Sequence, residues 1–237
     1  MPDAKDADPV REAAQAILEA ALPAVPFDGW TDAVIREAAE TAGVDRHRAK
    51  LAFPRGGVDL AMFHHREGDR MLAEELAAAD LTGMRLREKV AHGVRRRLEI
   101  AEERREAVRR AAGLFALPIY GADGARLIWE TADVIWTGVG DSSDDLNWYT
   151  KRAILSGVIS ATTLFWLGDE SDGRADSWRF LDRRIEGVMR FEKLKAAVNA
   201  NPLGKMMMRG PNWLASRIRK PGGGAAKDAP SDLPGGA

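Results

Sequence analysis

The 237-residue chain contains no cysteine. This absence excludes disulfide bonds, thiolate nucleophiles and cysteine-ligated metal centres. A run of eighteen apolar residues is also missing, which excludes a bilayer-spanning helix. The acidic first residues, MPDAKDADP, lack the basic and apolar regions of a signal peptide and the arginines of a transit peptide. We expect the chain to stay in the compartment where it is made, or to be a mature form already.

Catalytic and metal-binding motifs are absent as well. There is no GxSxG, Walker or GxGxxG pattern, and the histidines have no HExxH or ExxH spacing. His64 and His65 are adjacent on a predicted helix, where neighbouring side chains diverge. Asp141 begins a segment resembling a calcium loop, but Leu146 and Arg152 replace its glycine and glutamate. We predict no catalytic residue, no metal and no cofactor.

Charge is unevenly distributed, although the net charge is only −1. Residues 1–80 carry 9 Lys and Arg against 16 Asp and Glu, a net charge of −7. Residues 81–237 carry the remaining 26 and 20, a net charge of +6. This asymmetry matters for nucleic-acid binding, because Lys and Arg must neutralise the phosphates.

Apolar residues recur at helical spacing along most of the chain, and glycine, proline and capping residues separate the segments. Thr31 and Asp45 are predicted N-caps, and Gly140 is a predicted helix end. The pattern predicts an all-α fold with helices over residues 9–22, 31–42, 45–52, 58–78, 81–103, 104–117, 123–139, from 144 or 145 to 167, and 176–199.

The first four segments resemble the N-terminal domain of the TetR family of transcription regulators. The resemblance rests on Gly29-Trp30-Thr31, Ala42-Gly43-Val44, Phe53-Pro54 and the apolar pair Leu60 and Phe63. It implies a TetR-like helical bundle of about nine or ten helices with an N-terminal helix-turn-helix in residues 1–80. It also implies a homodimer formed through the last long helices.

A TetR-type ligand-responsive transcriptional repressor is therefore the alternative function. Its recognition helix would be the segment 45–52, which carries Arg46, Arg48 and Lys50. However, the surrounding domain is acidic, and Leu51 replaces the tyrosine typical of that helix in TetR regulators. Because an acidic domain repels duplex DNA, we expect nucleic acid not to be a partner.

The polar segment 140–152, GDSSDDLNWYTKR, joins two predicted helices. Trp148 and Tyr149 are adjacent, so they point about 100° apart and one core-facing stripe does not easily bury both. Two interpretations remain open. The segment is a well-capped corner with a structural role, or its aromatic residues form a contact surface for another protein.

The later helices are similar to the coenzyme Q biosynthesis protein nine family, whose members are accessory proteins of ubiquinone biosynthesis. The resemblance spans residues 10–200 and is carried by Trp129 to Asp133, Trp136, Gly140-Asp141, Ser143, Asp145, Asn147 to Ala153, Ser177 to Leu181 and Arg184. It implies a non-enzymatic protein that binds isoprenoid lipid in a helical domain over residues 81–200. It further implies that the protein presents quinone intermediates to the di-iron hydroxylase of the pathway.

By the same resemblance, the hydroxylase would dock on two neighbouring helices. The residues implied for this partner-binding patch are Asp133, Val134, Ile135, Trp136, Trp148 and Tyr149. The short connection between the two helices predicts that they pack antiparallel. Trp136, Trp148 and Tyr149 are then expected to form one exposed patch.

The long helix ending near residue 167 is apolar over much of its surface, which is typical of a central helix or of a cavity wall. An isoprenoid chain requires an apolar pocket. The residues predicted to form its walls are Leu98, Leu114, Ile128, Ile154, Val158, Phe165 and Trp166.

Segment 201–220 carries five cations and no acidic residue, together with an apolar set that includes Trp213. This composition is typical of a helix that lies on an anionic membrane, although a terminal helix packed on its own domain also fits. Gly210-Pro211 is expected to interrupt it. The predicted membrane-binding residues are Met206, Met207, Met208, Arg209, Trp213, Leu214, Arg217, Ile218 and Arg219.

Residues 221–237 are rich in Gly, Pro and Ala and are predicted to be disordered. For the whole chain, the expected location is peripheral to a membrane. In a bacterium this would be the cytoplasmic side, and in a eukaryote the matrix side of the mitochondrial inner membrane.

Overall fold

A computed structural model of the chain describes residues 9–141 and 146–200. Within these residues the secondary structure is helical throughout. Short 3₁₀ turns precede α7 and α10. The helices are α1 (Pro9–Ala21), α2 (Val25–Asp28), α3 (Asp32–Thr41), α4 (Arg46–Ala52), α5 (Gly57–Ala78), α6 (Leu86–Ile100), α7 (Arg105–Phe115), α8 (Gly121–Gly138), α9 (Leu146–Gly168) and α10 (Ala175–Ala200).

The predicted N-caps are confirmed. The Thr31 hydroxyl accepts a hydrogen bond from the backbone N–H of Val34 at 3.3 Å. One Asp45 carboxylate oxygen accepts from the N–H groups of His47 and Arg48, both at 3.0 Å. These bonds satisfy N–H groups that a helix start leaves without an intrahelical partner, and they therefore define where α3 and α4 begin.

The largest differences from the predicted helix ranges are an additional helix and a later helix start. The additional helix, α2, lies between the predicted helices 9–22 and 31–42, and Pro26 lies in its first turn, where a missing N–H costs nothing. Helix α6 begins at Leu86 instead of Leu81. There the Asp80 carboxylate accepts from the Thr82 N–H at 2.9 Å, and Gly83 has a φ of +83°, so the chain turns before the helix starts.

The first hydrophobic core lies among α1, α3, α4 and the start of α5, and it includes Ile17, Leu18, Val34 and Leu60. Trp30 joins this core to the rest of the molecule, because its indole N–H donates to the Ala107 carbonyl on α7 at 3.1 Å. The start of α5 passes so close to Trp30 that a Cβ atom at Gly57 would lie 2.0 Å from the Trp30 carbonyl oxygen.

The second core lies among α5, α6, α8, α9 and α10. Its buried residues include Leu72, Val94, Ile135, Leu155 and Leu181. Helix α5 contributes to both cores and so fixes the N-terminal helices against the larger bundle. In the described part of the chain, every helix is too short or too polar to cross a bilayer.

Candidate functional site

A cavity of about 500 Å³ lies among α5, α6, α7, α8 and α9. Most of its wall is apolar, and many of the lining side chains are alanine or glycine. Alanine and glycine do not fill the space between neighbouring helices as leucine or phenylalanine would, so part of that space stays open as the cavity. The small residues that line it are Ala101, Ala111, Ala112, Ala116, Gly121, Gly124, Ala125 and Gly157.

The cavity has an exposed side and a buried side. Ala116, Ala125, Gly157 and Leu164 line it and are exposed to solvent, so the mouth lies between the α7–α8 corner and α9. On the opposite side, α5, α6 and α8 contribute buried residues such as Leu127 and Thr131. A ligand would therefore enter past α9 and extend toward α5.

Two of the seven residues predicted to bind lipid, Leu98 and Ile128, line this cavity. The other five, Leu114, Ile154, Val158, Phe165 and Trp166, do not contribute to its wall. Helix α9 instead turns the face formed by Ser156, Gly157, Ile159, Ser160, Thr163 and Leu164 toward the cavity.

The residues placed elsewhere have clear packing roles. Val158 belongs to the second core, and Leu114 packs against the first. Trp166 is fully buried, and its indole N–H donates to the Glu102 carboxylate at 2.8 Å. Phe165 is 38% exposed and stacks on Phe180 with 4.5 Å between ring centroids. Because α9 is apolar on most of its surface, its periodicity could not select the face that meets the cavity.

The sequence analysis missed the small residues of the wall. The signal was present in the segment 111–125, AAGLFALPIYGADGA, where eight of the fifteen residues are alanine or glycine. Gly124 lies so close to α7 that a Cβ atom would come within 2.7 Å of the Phe115 Cβ. Helices α7 and α8 are thus in close contact at Gly124 and Phe115, and the cavity lies beside this contact.

A group of polar side chains forms the end of the cavity at α5. The His65 Nε2 lies 2.8 Å from the Thr131 hydroxyl, which in turn lies 3.0 Å from both oxygens of the Asp69 carboxylate. The Arg97 guanidinium donates to Asp69 at 2.6 Å and to the His65 carbonyl at 2.8 Å. His64 completes the group and packs its ring against Trp30 at a centroid distance of 5.2 Å.

The two histidines in this group are neutral at physiological pH. Burial lowers the pKa of His64 and of His65 to about 3, and the nearby positive charge of Arg97 acts in the same direction. The charge of Arg97 is itself paired with Asp69. The polar end of the cavity therefore offers hydrogen bonds without a net charge.

The corner after α8 is built around Gly140. This residue has a φ of +85°, which confirms its predicted role at the helix end. Its N–H donates to the Thr137 carbonyl at 3.1 Å, and the Asp141 N–H donates to the Trp136 carbonyl at 2.9 Å. These two bonds form a Schellman motif, which satisfies the last carbonyls of α8.

Arg152 ties this corner to α9. Its side chain is only 2% exposed, and it donates to Asp133 at 2.6 Å and to Asp141 at 3.2 Å. The guanidinium also lies 4.1 Å from the Trp148 ring centroid. Lys151 binds the second oxygen of Asp141 at 2.6 Å. Lys151 and Arg152, the last two residues of segment 140–152, thus form a network of ion pairs with Asp133 and Asp141. The spacing of these residues in the sequence did not predict this network.

The three aromatic residues of the expected patch are all partly buried, and they make different ring contacts. Trp148 and Tyr149 contact each other, with 4.8 Å between ring centroids, and both contact Trp129 at 6.0 and 6.3 Å. The Trp136 ring contacts the Lys151 ammonium, which lies 5.3 Å from the ring centroid. We call Trp129, Trp148 and Tyr149 the aromatic cluster; all three are partly buried.

The remaining residues of the implied partner-binding patch differ in accessibility. The Asp133 side chain is 44% exposed while it pairs with Arg152. Val134 packs against the second core, and Ile135 is completely buried within it. Ile135 therefore cannot contribute to a surface in this structure. The predicted membrane-binding residues of segment 201–220 and the tail lie outside the described residues.

Similarities in sequence and in structure to known proteins indicate the family and the fold of this chain, respectively. The family model named COQ9 matches residues 122–192. The mitochondrial ubiquinone biosynthesis protein COQ9 of Rattus norvegicus is 33% identical over 180 residues, which cover 73% of this chain and 57% of that protein. The Homo sapiens protein of the same name is 32% identical over 180 residues, covering 73% and 56%.

In both cases the matched region spans little more than half the length of the relative. Among solved structures, a TetR transcriptional regulator from Nitrosomonas europaea has a TM-score of 0.60 at 18% sequence identity. The match covers 74% of this chain and 97% of the regulator. This likeness confirms the all-α, TetR-like fold, and at such low identity it carries no information about function.

Proposed function

The chain belongs to the COQ9 family, and from this membership we propose that it acts in ubiquinone biosynthesis as a non-enzymatic accessory protein. Its relatives carry ubiquinone biosynthesis in their names. The proposed role is to hold an isoprenoid quinone intermediate and to present it to the pathway's di-iron hydroxylase. The cavity among α5 to α9 is the observation that supports this role.

The shape and chemistry of the cavity suit an isoprenoid chain. A volume of about 500 Å³ falls in the range of small-molecule sites, and apolar side chains dominate its wall. The region that the family model matches contains α9 and all of α8 except Gly121, and both helices contribute to the cavity wall. An apolar chain gains about 25 cal/mol for each Å² that it removes from water, so a long chain would be held without any charged contact.

Presentation to a hydroxylase requires a surface near the cavity. The aromatic cluster, with Asp133 beside it, is our proposed docking site, because partly buried tryptophan and tyrosine residues commonly supply most of the binding free energy of an interface. The same two helices, α8 and α9, carry both the cluster and the cavity wall. A docked partner would therefore lie close to the bound chain.

Membrane association through segment 201–220 and a homodimer are further parts of the proposal. The mitochondrial relatives support a mitochondrial location. We propose the matrix side of the inner membrane for a eukaryotic source and the cytoplasmic side of the membrane for a bacterial source. A transcriptional repressor is not proposed, since the curated relatives carry biosynthetic names and the TetR likeness concerns the fold alone.

Two tryptophan variants of α8, one at the cavity mouth and one outside the cavity wall, test the lipid-binding role. Ala125 lines the mouth, whereas Ala122 on the same helix is exposed and does not line it. We expect Ala125→Trp to block entry and to abolish the co-purification of isoprenoid lipid, measured by mass spectrometry of solvent extracts. Ala122→Trp should retain the lipid. Absence of lipid from the unaltered protein, or equal retention by both variants, would contradict the proposed role.

A further inference from the structure

We propose that His64 binds the head group of the ligand, and that this head group is an uncharged oxygen function, a phenol hydroxyl or a quinone carbonyl. The proposal rests on the lipid-holding role put forward above and specifies the chemistry of the same cavity. The ligand would enter with its polar end first. Its apolar chain would then extend from α5 toward the mouth beside α9.

His64 is singled out because the other polar groups at this end are engaged. The His65 Nε2 bonds the Thr131 hydroxyl, and Arg97 bonds Asp69 and a backbone carbonyl. Among the described residues, the His64 side chain has no hydrogen-bond partner, and its ring contact is with Trp30. A polar side chain in a largely apolar wall is stabilised by a ligand that completes its hydrogen bonds.

The charge balance at this end selects a neutral ligand. The Arg97 guanidinium lies 2.6 Å from the Asp69 carboxylate, so its charge is already compensated. Arg97 is the one cation among the described residues that line the cavity, because Arg104, the other cation near His64, is exposed and does not line it. A carboxylate or phosphate head beside His64 would therefore meet no unpaired cation in the wall. A buried charge without a partner is strongly unfavourable, whereas a neutral hydroxyl or carbonyl loses little when it forms a hydrogen bond.

A neutral imidazole can serve both of the proposed oxygen functions. One ring nitrogen can accept a hydrogen bond from a phenol hydroxyl, and the other, as N–H, can donate a hydrogen bond to a quinone carbonyl. Burial keeps the pKa of His64 near 3, so this dual capacity persists across the physiological range. The site therefore fits a head group that is a phenol in one form and a quinone in another.

Binding of three probes to the full-length protein tests the inference. The probes are 4-decylphenol, 4-decylbenzoate and decylbenzene, which share a chain and differ in their heads. At pH 7 the phenol is neutral and the benzoate is ionised. By isothermal titration calorimetry, we expect the phenol to bind about tenfold more tightly than decylbenzene, the value of one good hydrogen bond in a dry site, and the benzoate to bind more weakly than the phenol.

The variant His64→Phe keeps an aromatic ring and removes both nitrogens. It should lower the affinity for 4-decylphenol about tenfold and leave that for decylbenzene unchanged. His92→Phe is the matched control, since His92 lies on α6 and does not line the cavity. It should leave all three affinities as they are. Circular dichroism would establish that both variants are folded.

A measurement on the unaltered protein makes the test independent of folding in the variant. In ¹⁵N spectra of histidine-labelled protein, 4-decylphenol should shift the ring nitrogens of His64, and decylbenzene should not. Equal affinity of the phenol and decylbenzene, or tighter binding of the benzoate, would overturn the head-group inference while leaving the lipid role intact. If none of the probes binds, both the inference and the lipid role are wrong.

Discussion

The side chain of Arg152 joins the end of α8 to the start of α9 through two carboxylates and one aromatic ring. Asp133 belongs to α8, Asp141 follows its end, and Trp148 lies in the first turn of α9. Since Asp141 is only 5% exposed, its charge depends on nearby cations for compensation. Arg152 therefore determines how the corner is held together.

Replacing Arg152 should destabilise the fold much more than replacing its neighbour. We expect Arg152→Ala to lower the free energy of unfolding by about 3 kcal/mol, because it removes one partner of a buried ion pair. Lys151→Ala should cost less than about 1 kcal/mol, since the Lys151 side chain is 35% exposed. Urea denaturation of the two variants measures the difference. Equal losses would show that Arg152 is not the dominant cation of the corner.

At the level of elements, the Schellman motif at Gly140 sets the direction in which the chain leaves α8. A φ of +85° is accessible to glycine and costly for a residue with a Cβ atom. A Cβ atom at this position would meet nothing within 4 Å, so the cost of a substitution is the backbone conformation alone. The corner that brings α9 back along α8 therefore depends on this one glycine.

Two glycine-to-alanine substitutions test two separate effects. The one at Gly140 measures the cost of a positive φ, and the one at Gly113 measures the gain in helix propensity. Gly140→Ala should lower the free energy of unfolding by about 1–2 kcal/mol, because alanine disfavours the left-handed conformation. Gly113→Ala should raise it by about 0.4–1 kcal/mol, since Gly113 lies on an exposed part of α7 with a helical backbone and open space around it. Thermal and urea denaturation would report both. If Gly140→Ala left the free energy of unfolding unchanged, residue 140 would not adopt the left-handed conformation in the folded protein.

For the whole molecule, the buried polar end of the cavity links stability to pH. Folding lowers the pKa of His64 and His65 from 6.5 to about 3, so below pH 6.5 the unfolded chain binds more protons than the folded one. With respect to these two histidines, the free energy of unfolding is highest above pH 6.5, and it decreases as the pH falls from 6.5 toward 3. Burial also raises the pKa of Asp69, and that shift acts in the opposite sense.

Comparison with a variant isolates the contribution of one histidine. Between pH 6 and pH 5, the unfolding free energy of the unaltered protein should fall more steeply than that of His64→Phe, by up to about 1.4 kcal/mol per pH unit. Taking the difference cancels the opposite contribution of Asp69 and those of other groups. Urea denaturation at several pH values provides the measurement. Parallel curves would show that His64 keeps an ordinary pKa in the folded protein.

The sequence was sufficient to predict the described helices other than the short α2, the caps at Thr31 and Asp45, the end of α8 at Gly140, and the family. These features depend on neighbouring residues: a side chain three positions away satisfies a helix N–H, and a glycine permits a positive φ wherever the chain later packs. Short-range chemistry of this kind is readable without knowing the fold. The acidic balance of the first 80 residues was equally accessible from composition.

Tertiary structure alone decided which face of α9 meets the cavity, that Arg152 is buried, and that His64 shares a site with Thr131 and Arg97. Residues 64, 97 and 131 come from three helices, and no local pattern relates them. Helix α9 is apolar on several sides, so its own sequence is compatible with more than one orientation. The packing of α5, α6 and α8 chooses among these orientations, because burial and charge pairing are properties of the assembled bundle.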